Sequence, residues 1–362
     1  MKPPKSPAAI LLFAAITLFG CGPAPENAKS PLRTIVDPAG RSVKIPEKVG
    51  RAVCVGAGAL RCAAYAGAAD RIVGVEEGEG RTSPAKCFSY VFREVFSRLP
   101  TVGRNGAPDA EAVAALAPDV VITTYPPGVA EALQRRTGIP VASIPLPENP
   151  FGPEMFAALE TVGEIFGTQS RCKSLAKYIR ECETDLKRRT ADVPESRRPT
   201  AYAGGISYRG ARGFCGTDGA YSPFDASGVR NAAGSLGIRG AFEVDLEKVL
   251  EWDPQYLFIE INNIALVEDF FKKRPRLLDL LSAAREGRVY SNVAFRFGGT
   301  NAEAAIANAY YVGSVAYSER FSDVDIARKA DEIFVRFLGV PLYGELKRAG
   351  LEFRRINLGG GK

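Results

Sequence analysis

The sequence predicts an α/β protein of two similar lobes, each with a mostly parallel sheet, joined by a single long helix. Three observations predict it. Short apolar, β-branched runs alternate with helical segments over brief connections, the pattern of a parallel sheet covered on both faces. Residues 156–189 break that alternation and keep helical spacing throughout. An Asp-x-Glu motif with a proline nine residues after the Asp occurs twice, once on each side of that stretch.

In chain order, the first lobe covers residues 33–150. It holds strands at 52–55, 72–75, 120–124 and 141–144, and helices at 59–66, 110–116 and 129–136. The linking segment is 151–195. There Leu159, Val162, Ile165 and Phe166, then Leu175, Tyr178, Ile179 and Leu186, share one face opposite a charged one, and Pro194 and Pro199 end the pattern. It reads as one rigid spine helix. The second lobe, 196–345, resumes with strands at 201–203, 257–261 and 289–290, and 346–362 form a C-terminal tail.

The repeat is specific in its spacing. Asp109, Glu111 and Pro118 precede the apolar run Val120-Val-Ile122; Asp245, Glu247 and Pro254 precede Leu257-Phe-Ile259. Asp at an N-cap accepts orphan N–H groups, and Glu in the first turn meets the positive end of the helix dipole. One copy is only a good helix start. Two copies at identical spacing favour a duplicated architecture.

The N-terminus carries an address. Residues 1–20 begin with Lys2 and Lys5, continue through an apolar run at 8–19, and end on Gly20 before Cys21. That order matches a secretory signal with a small-residue cleavage point, and the run is shorter than the ~20 residues a spanning helix takes. The cysteine resembles the lipidated first residue of bacterial lipoproteins. Cys21 is therefore the expected membrane anchor, and the small, Pro-rich residues 21–32 the tether between lipid and domain. The expected location is the cell envelope, outside the cytoplasm.

Composition excludes several classes. The chain is 46% hydrophobic and 24% charged, as in a soluble globular protein, and long enough for two cores. Its formal charge of +6 falls to +4 when the two signal lysines leave, and it is spread without blocks, so no nucleic-acid partner is expected. There is no histidine. His-based zinc or manganese sites, His-ligated haem, and Ser-His-Asp or Cys-His catalysis are thereby excluded. Of the six cysteines after Cys21, Cys172 and Cys182 share a helix in which ten residues rise about 15 Å, too far for a bridge. Cys54 sits in an apolar strand as a small core residue. No resident metal, cofactor or catalytic residue is expected, and the protein is expected to be a monomer.

The segments 34–46, 51–56 and 68–75, with the two Asp-x-Glu repeats, resemble substrate-binding proteins of iron-siderophore and cobalamin ABC importers. Residues 204–213 and 301–310 resemble a branch known as iron-complex binders. The similarity covers nearly all of residues 33–340, and the order of the motifs is its specific part. It implies two lobes with the ligand in the cleft between them. It also implies that Glu111 and Glu247 meet arginines on an ABC permease, a role that two exposed carboxylates on matched helices suit.

In open parallel sheets, ligands bind beyond the carboxyl ends of the strands. The qualifying loops are 56–61, 123–125, 204–215, 260–263 and 294–299. They pool glycines for close backbone approach, aromatics for flat surfaces, and arginines for bidentate grip on carboxylate or phosphate. The candidate ligand-binding residues are Gly58, Arg61, Tyr125, Ser207, Tyr208, Arg209, Arg212, Asn262, Phe295 and Arg296. Tyr208, Arg209, Arg212, Phe295 and Arg296 together suggest a bulky anionic ligand. Tyr125 and Tyr208 are also potential phenolate donors to a ferric centre. The expected ligand is a metal chelate of the ferric-siderophore kind, with a corrinoid as the alternative and a simple oxyanion or haem behind. Gly56-x-Gly58 with Glu76 mimics a dinucleotide fingerprint but has Arg61 in place of the third glycine. An exported hydrolase finds few strand-end carboxylates beyond Glu76, Glu77 and Glu260.

Overall fold

The computed structural model describes residues 31–79, 83–207 and 210–358. The signal segment 1–20, Cys21, nearly all of the tether, Tyr208 and Arg209 lie outside the described residues. The chain enters through an antiparallel hairpin, β1 (Leu32–Val36) and β2 (Ser42–Pro46). Its turn is held by Asp37, which accepts the N–H groups of Ala39 and Arg41 at 3.1 and 3.0 Å.

Next come β3 (Ala52–Val55), α1 (Ala59–Tyr65), β4 (Ile72–Gly74), α2 (Ala110–Ala115), β5 (Val120–Thr123), α3 (Pro127–Thr137) and β6 (Val141–Ser143). The strands form one parallel sheet in the order β4-β3-β5-β6. Every residue of β3, β5 and β6 is buried, which is why these strands read as continuous apolar runs without alternation.

The spine differs from the single helix expected over 156–189. It is two helices, α4 (Pro153–Phe166) and α5 (Gln169–Thr190). Gly167 sits at φ +67°, and the Thr168 N–H turns back to Gly163 O at 2.8 Å, a C-cap that ends α4. Gly163 then lets the helices meet: a Cβ there would lie 3.0 Å from Cys172 Sγ. The long link between lobes is α5, 22 residues.

The second lobe repeats the first. Strands β7 (Thr200–Gly204) and β8 (Arg230–Asn231), helix α6 (Leu246–Trp252), and strands β9 (Tyr256–Glu260) and β10 (Val289–Asn292) give a parallel sheet in the order β8-β7-β9-β10. Helices α7 (Ala302–Ala316), α8 (Ile326–Leu338) and α9 (Tyr343–Arg348) complete the chain. The last described residues lie along β10: Ser291 N–H donates to Arg354 O at 2.9 Å and Ile356 N–H to Val289 O at 2.8 Å. One buried cluster runs from Ile35 through α1, α4, α5 and α7 to Phe334, so the lobes share a core.

The repeat is visible in the backbone. Among the described residues the only non-glycines at positive φ are Ala117 (+43°) and Asp253 (+35°). Each stands eight residues after its Asp and directly before its Pro, where the right-handed helical region is disfavoured. Capping is only half matched. Asp109 accepts the N–H groups of Glu111 and Ala112, whereas Asp245 occupies the N-cap without a side-chain bond. Cys54 is a buried strand residue, Cys172 and Cys182 both lie on α5, and the six described cysteines are free.

Candidate functional site in the interlobe cleft

The carboxyl ends of both sheets face a cleft of two connected cavities. The larger, about 680 Å³, is lined by Leu146 and Glu148 from the first lobe and by Ser207, Arg239 and Arg296 from the second. The smaller, about 510 Å³, is lined by Ala57, Glu76, Glu77, Glu79 and Asn105 of the first lobe. Asn262, Phe297 and Gly298 line both.

Each wall rests on a buried carboxylate. In the first lobe Glu76, 4% exposed, accepts the Gly56 N–H at 2.9 Å and the Tyr125 hydroxyl at 2.5 Å. Burial pushes its carboxyl up, against the pull of those two donors. In the second lobe Glu260, 1% exposed, accepts the Ser207 hydroxyl, the Ser207 N–H at 3.4 Å and an Asn263 amide N–H at 3.3 Å. Burial raises Glu260 to about 7, again opposed by its donors.

The candidate residues divide on this geometry. Ser207, Asn262 and Arg296 line the cleft, whereas Tyr125 lines neither cavity and stands behind Glu76 and Asn105 of the smaller one. The Tyr125 hydroxyl is committed to Glu76 and accepts the Gly106 N–H at 2.5 Å, and burial drives it far above the phenol range. Asn262 keeps a buried Oδ1 with no hydrogen-bond partner. Arg296 donates to Asp218 Oδ2 at 2.6 and 3.0 Å and to Glu148 O at 2.9 Å, so it ties the second lobe to the end of the first. Arg212 lies 3.6 Å from Glu243 in an ion pair and is absent from both cavity linings. Gly58 stands at φ +82° behind the cavity floor, where a Cβ would meet Leu146 at 3.3 Å and Gly298 O at 3.5 Å. Tyr208 and Arg209 lie outside the described residues.

Two candidates do not face the cleft. Phe295 is 1% exposed and packs on Tyr221, ring centroids 5.3 Å apart. Arg61 is 2% exposed. Its guanidinium donates to Phe297 O at 2.6 Å, Thr300 O at 2.7 Å and Gly298 O at 2.8 Å, across the lobe boundary. Sequence position put both on strand-end loops but gave no sign of which way they point. Asp218, Arg239 and Glu148 were not singled out from the sequence. Asp218 carried the one usable signal, a lone acid in a run of glycines and small residues at 216–220.

Residues 53–292 match the family model described as periplasmic binding protein. The chain is 24% identical over 332 residues to the molybdate-binding protein MolA of Haemophilus influenzae, covering 84% of this chain and 90% of MolA. The structure of MolA bound to molybdate superposes with a TM-score of 0.67 at 22% identity, over 85% of this chain and 98% of MolA. A periplasmic solute binding protein from Veillonella parvula gives 0.69 at 20% identity, over 86% and 94%. Helicobacter pylori CeuE with Ni(II) bound gives 0.63 at 16% identity, over 85% and 96%. These structures share the two-lobed fold.

Proposed function

This chain belongs to the periplasmic binding protein family, and from that premise we propose that it carries an anionic, oxygen-rich metal chelate of the ferric-siderophore kind. It works as an extracytoplasmic solute-binding protein of an ABC importer. In this reading it is tethered to the membrane through lipid on Cys21, acts as a monomer, catalyses nothing, and presents Glu111 and Glu247 to the permease. Both glutamates are exposed in the first turns of the matched helices α2 and α6, which supports that last role.

The observation that carries the ligand reading is the larger cavity. At about 680 Å³ it lies within the range of small-molecule sites. Arg239 gives it a cationic group, and Arg296, already paired with Asp218, stands beside the amide and hydroxyl of Asn262 and Ser207. A chain without histidine suits a metal that arrives already coordinated. A second reading, a simple tetrahedral oxyanion, is favoured by the similarity to a molybdate-binding protein.

Equilibrium dialysis of the mature chain against ferric citrate, a ferric hydroxamate, molybdate and cobalamin tests these readings. The chelate reading expects a ferric complex to bind most tightly. Molybdate as the tightest ligand would replace it with the oxyanion reading, and cobalamin with the corrinoid. NAD or ester turnover would overturn the non-enzymatic reading.

A further inference from the structure

The floor shared by the two cavities is the loop Phe297-Gly298-Gly299, and its hydrogen bonding is lopsided. On the inner side, Arg61 takes the carbonyls of Phe297, Gly298 and Thr300. The described peptides are all trans, and a trans peptide directs its N–H opposite to its C=O. The N–H of Gly298 belongs to the same peptide as Phe297 C=O, and the N–H of Gly299 to that of Gly298 C=O. Both N–H groups therefore point away from Arg61. Neither has an acceptor among the described residues, whereas the next N–H groups along are used: Thr300 donates to Pro147 O at 3.4 Å and Asn301 to Phe295 O at 2.8 Å.

Two successive glycines make this possible. Gly298 is at φ +56° and Gly299 at +83°, positive values that glycine adopts without steric cost. The charge behind them is unusual. Among the described residues Arg61 makes no ion pair; its polar partners are carbonyls, and its guanidinium carbon lies 4.9 Å from the Phe88 ring centroid. The acid that acts on it is Glu303, which burial pushes toward its neutral form while it accepts the Tyr65 hydroxyl. A buried cation thus polarises two peptides whose donor ends are free.

We propose that the Gly298 and Gly299 N–H groups form a two-donor anion pocket on the cleft floor, backed by Arg61 and built for one oxygen anion of the ligand. This rests on the solute-binding reading and adds the point of attachment. Successive N–H groups of this kind are known anion cradles, and donors fixed in advance bind charge without reorganisation. The anionic oxygen belongs either to a free oxyanion or to a carboxylate of a chelate. Arg61 is a positioning residue here, acting through the peptides it holds.

The test is proton–nitrogen NMR of the mature chain with labelled glycine, titrated with sodium molybdate in one arm and diamagnetic gallium citrate in the other. The expected result is a downfield shift of the Gly298 and Gly299 amide protons larger than that of any other glycine. The arm that gives it identifies free oxyanion or chelate oxygen. Binding of either probe with these two amides unmoved overturns the pocket and leaves the solute-binding reading intact. No binding of either probe at millimolar concentration also overturns it, and the dialysis panel then judges the wider reading separately. Arg61→Gln is expected to weaken the responding probe about tenfold, and Arg61→Lys, which keeps the charge, to recover most of that loss. A purely structural strut predicts equal losses in both variants.

Discussion

The N-terminal lobe covers its outer strand β6 with a hairpin, and the C-terminal lobe covers its outer strand β10 with the end of the chain. In the first, buried Asp37 takes the Ser143 N–H at 3.0 Å, while Arg41 reaches Val141 O at 3.0 Å. In the second, Ser291 hydroxyl donates to Glu352 O at 2.8 Å and accepts the Arg354 N–H at 2.7 Å. Both devices remove an unpaired sheet edge. The cleft walls diverge: the first lobe presents Glu76, Glu77 and the Glu79–Lys86 ion pair, the second Arg239 and the Arg296–Asp218 ion pair. Sheet edges face the same physical demand in each lobe and find equivalent answers. Ligand loops face different parts of one ligand and need not match.

The largest expected effect is at the sheet edges. Asp37 joins a buried ion pair with Arg41 at 2.6 Å and accepts three backbone N–H groups. Asp37→Ala leaves those three donors without their acceptor and the guanidinium without its counter-charge, an expected loss of about 3–5 kcal/mol by urea unfolding. A loss below about 1 kcal/mol would mean the hairpin is dispensable to the first sheet.

Next is the pair of buried wall carboxylates. Glu260 rises from its ordinary 4.5 to about 7 in the fold. Below pH 4.5 it is protonated folded or unfolded and costs nothing. As pH rises to about 7 the unfolded chain releases this proton first, so stability falls. The full penalty, about 3 kcal/mol, holds above pH 7. Glu76 shifts the same way. Unfolding of Glu260→Gln at pH 5 and pH 8 should show a pH-dependent loss smaller than the parent's by most of that amount. An unchanged pH slope would show that Glu260 titrates normally.

Ser291→Ala should cost only about 1 kcal/mol, because a neutral hydroxyl holds the second edge where a charge holds the first. A loss equal to that of Asp37→Ala would erase the distinction. The smallest stability effects belong to Glu111→Ala and Glu247→Ala, about 0.3–1 kcal/mol each from the helix dipole. Reversing both to Arg should nonetheless abolish import in a reconstituted transporter while ligand affinity stays within about twofold. Import at the parental rate would refute the docking role.

Much of this fold was legible in the sequence, for particular reasons. β3, β5 and β6 are buried on both faces, so their apolar runs are unbroken and their limits fall within a residue of expectation. The repeat survived to the level of backbone strain at Ala117 and Asp253. The helix break was missed because apolar spacing runs straight through Gly167, and only its left-handed conformation stops α4. The cleft was less legible. Arg61 has the residue type and loop position of a ligand grip. Its burial depends on carbonyls 236–239 residues away, which no local pattern encodes. Arg296 reaches the cleft already paired with Asp218 for the same reason.

Native mass spectrometry of the mature chain, purified from its own host and followed by metal analysis, reads the bound ligand itself. One equivalent of a metal-containing, anionic small molecule is expected, retained by the intact protein and released on unfolding. Recovery of a bare zinc or manganese ion in its place would contradict the chelate reading.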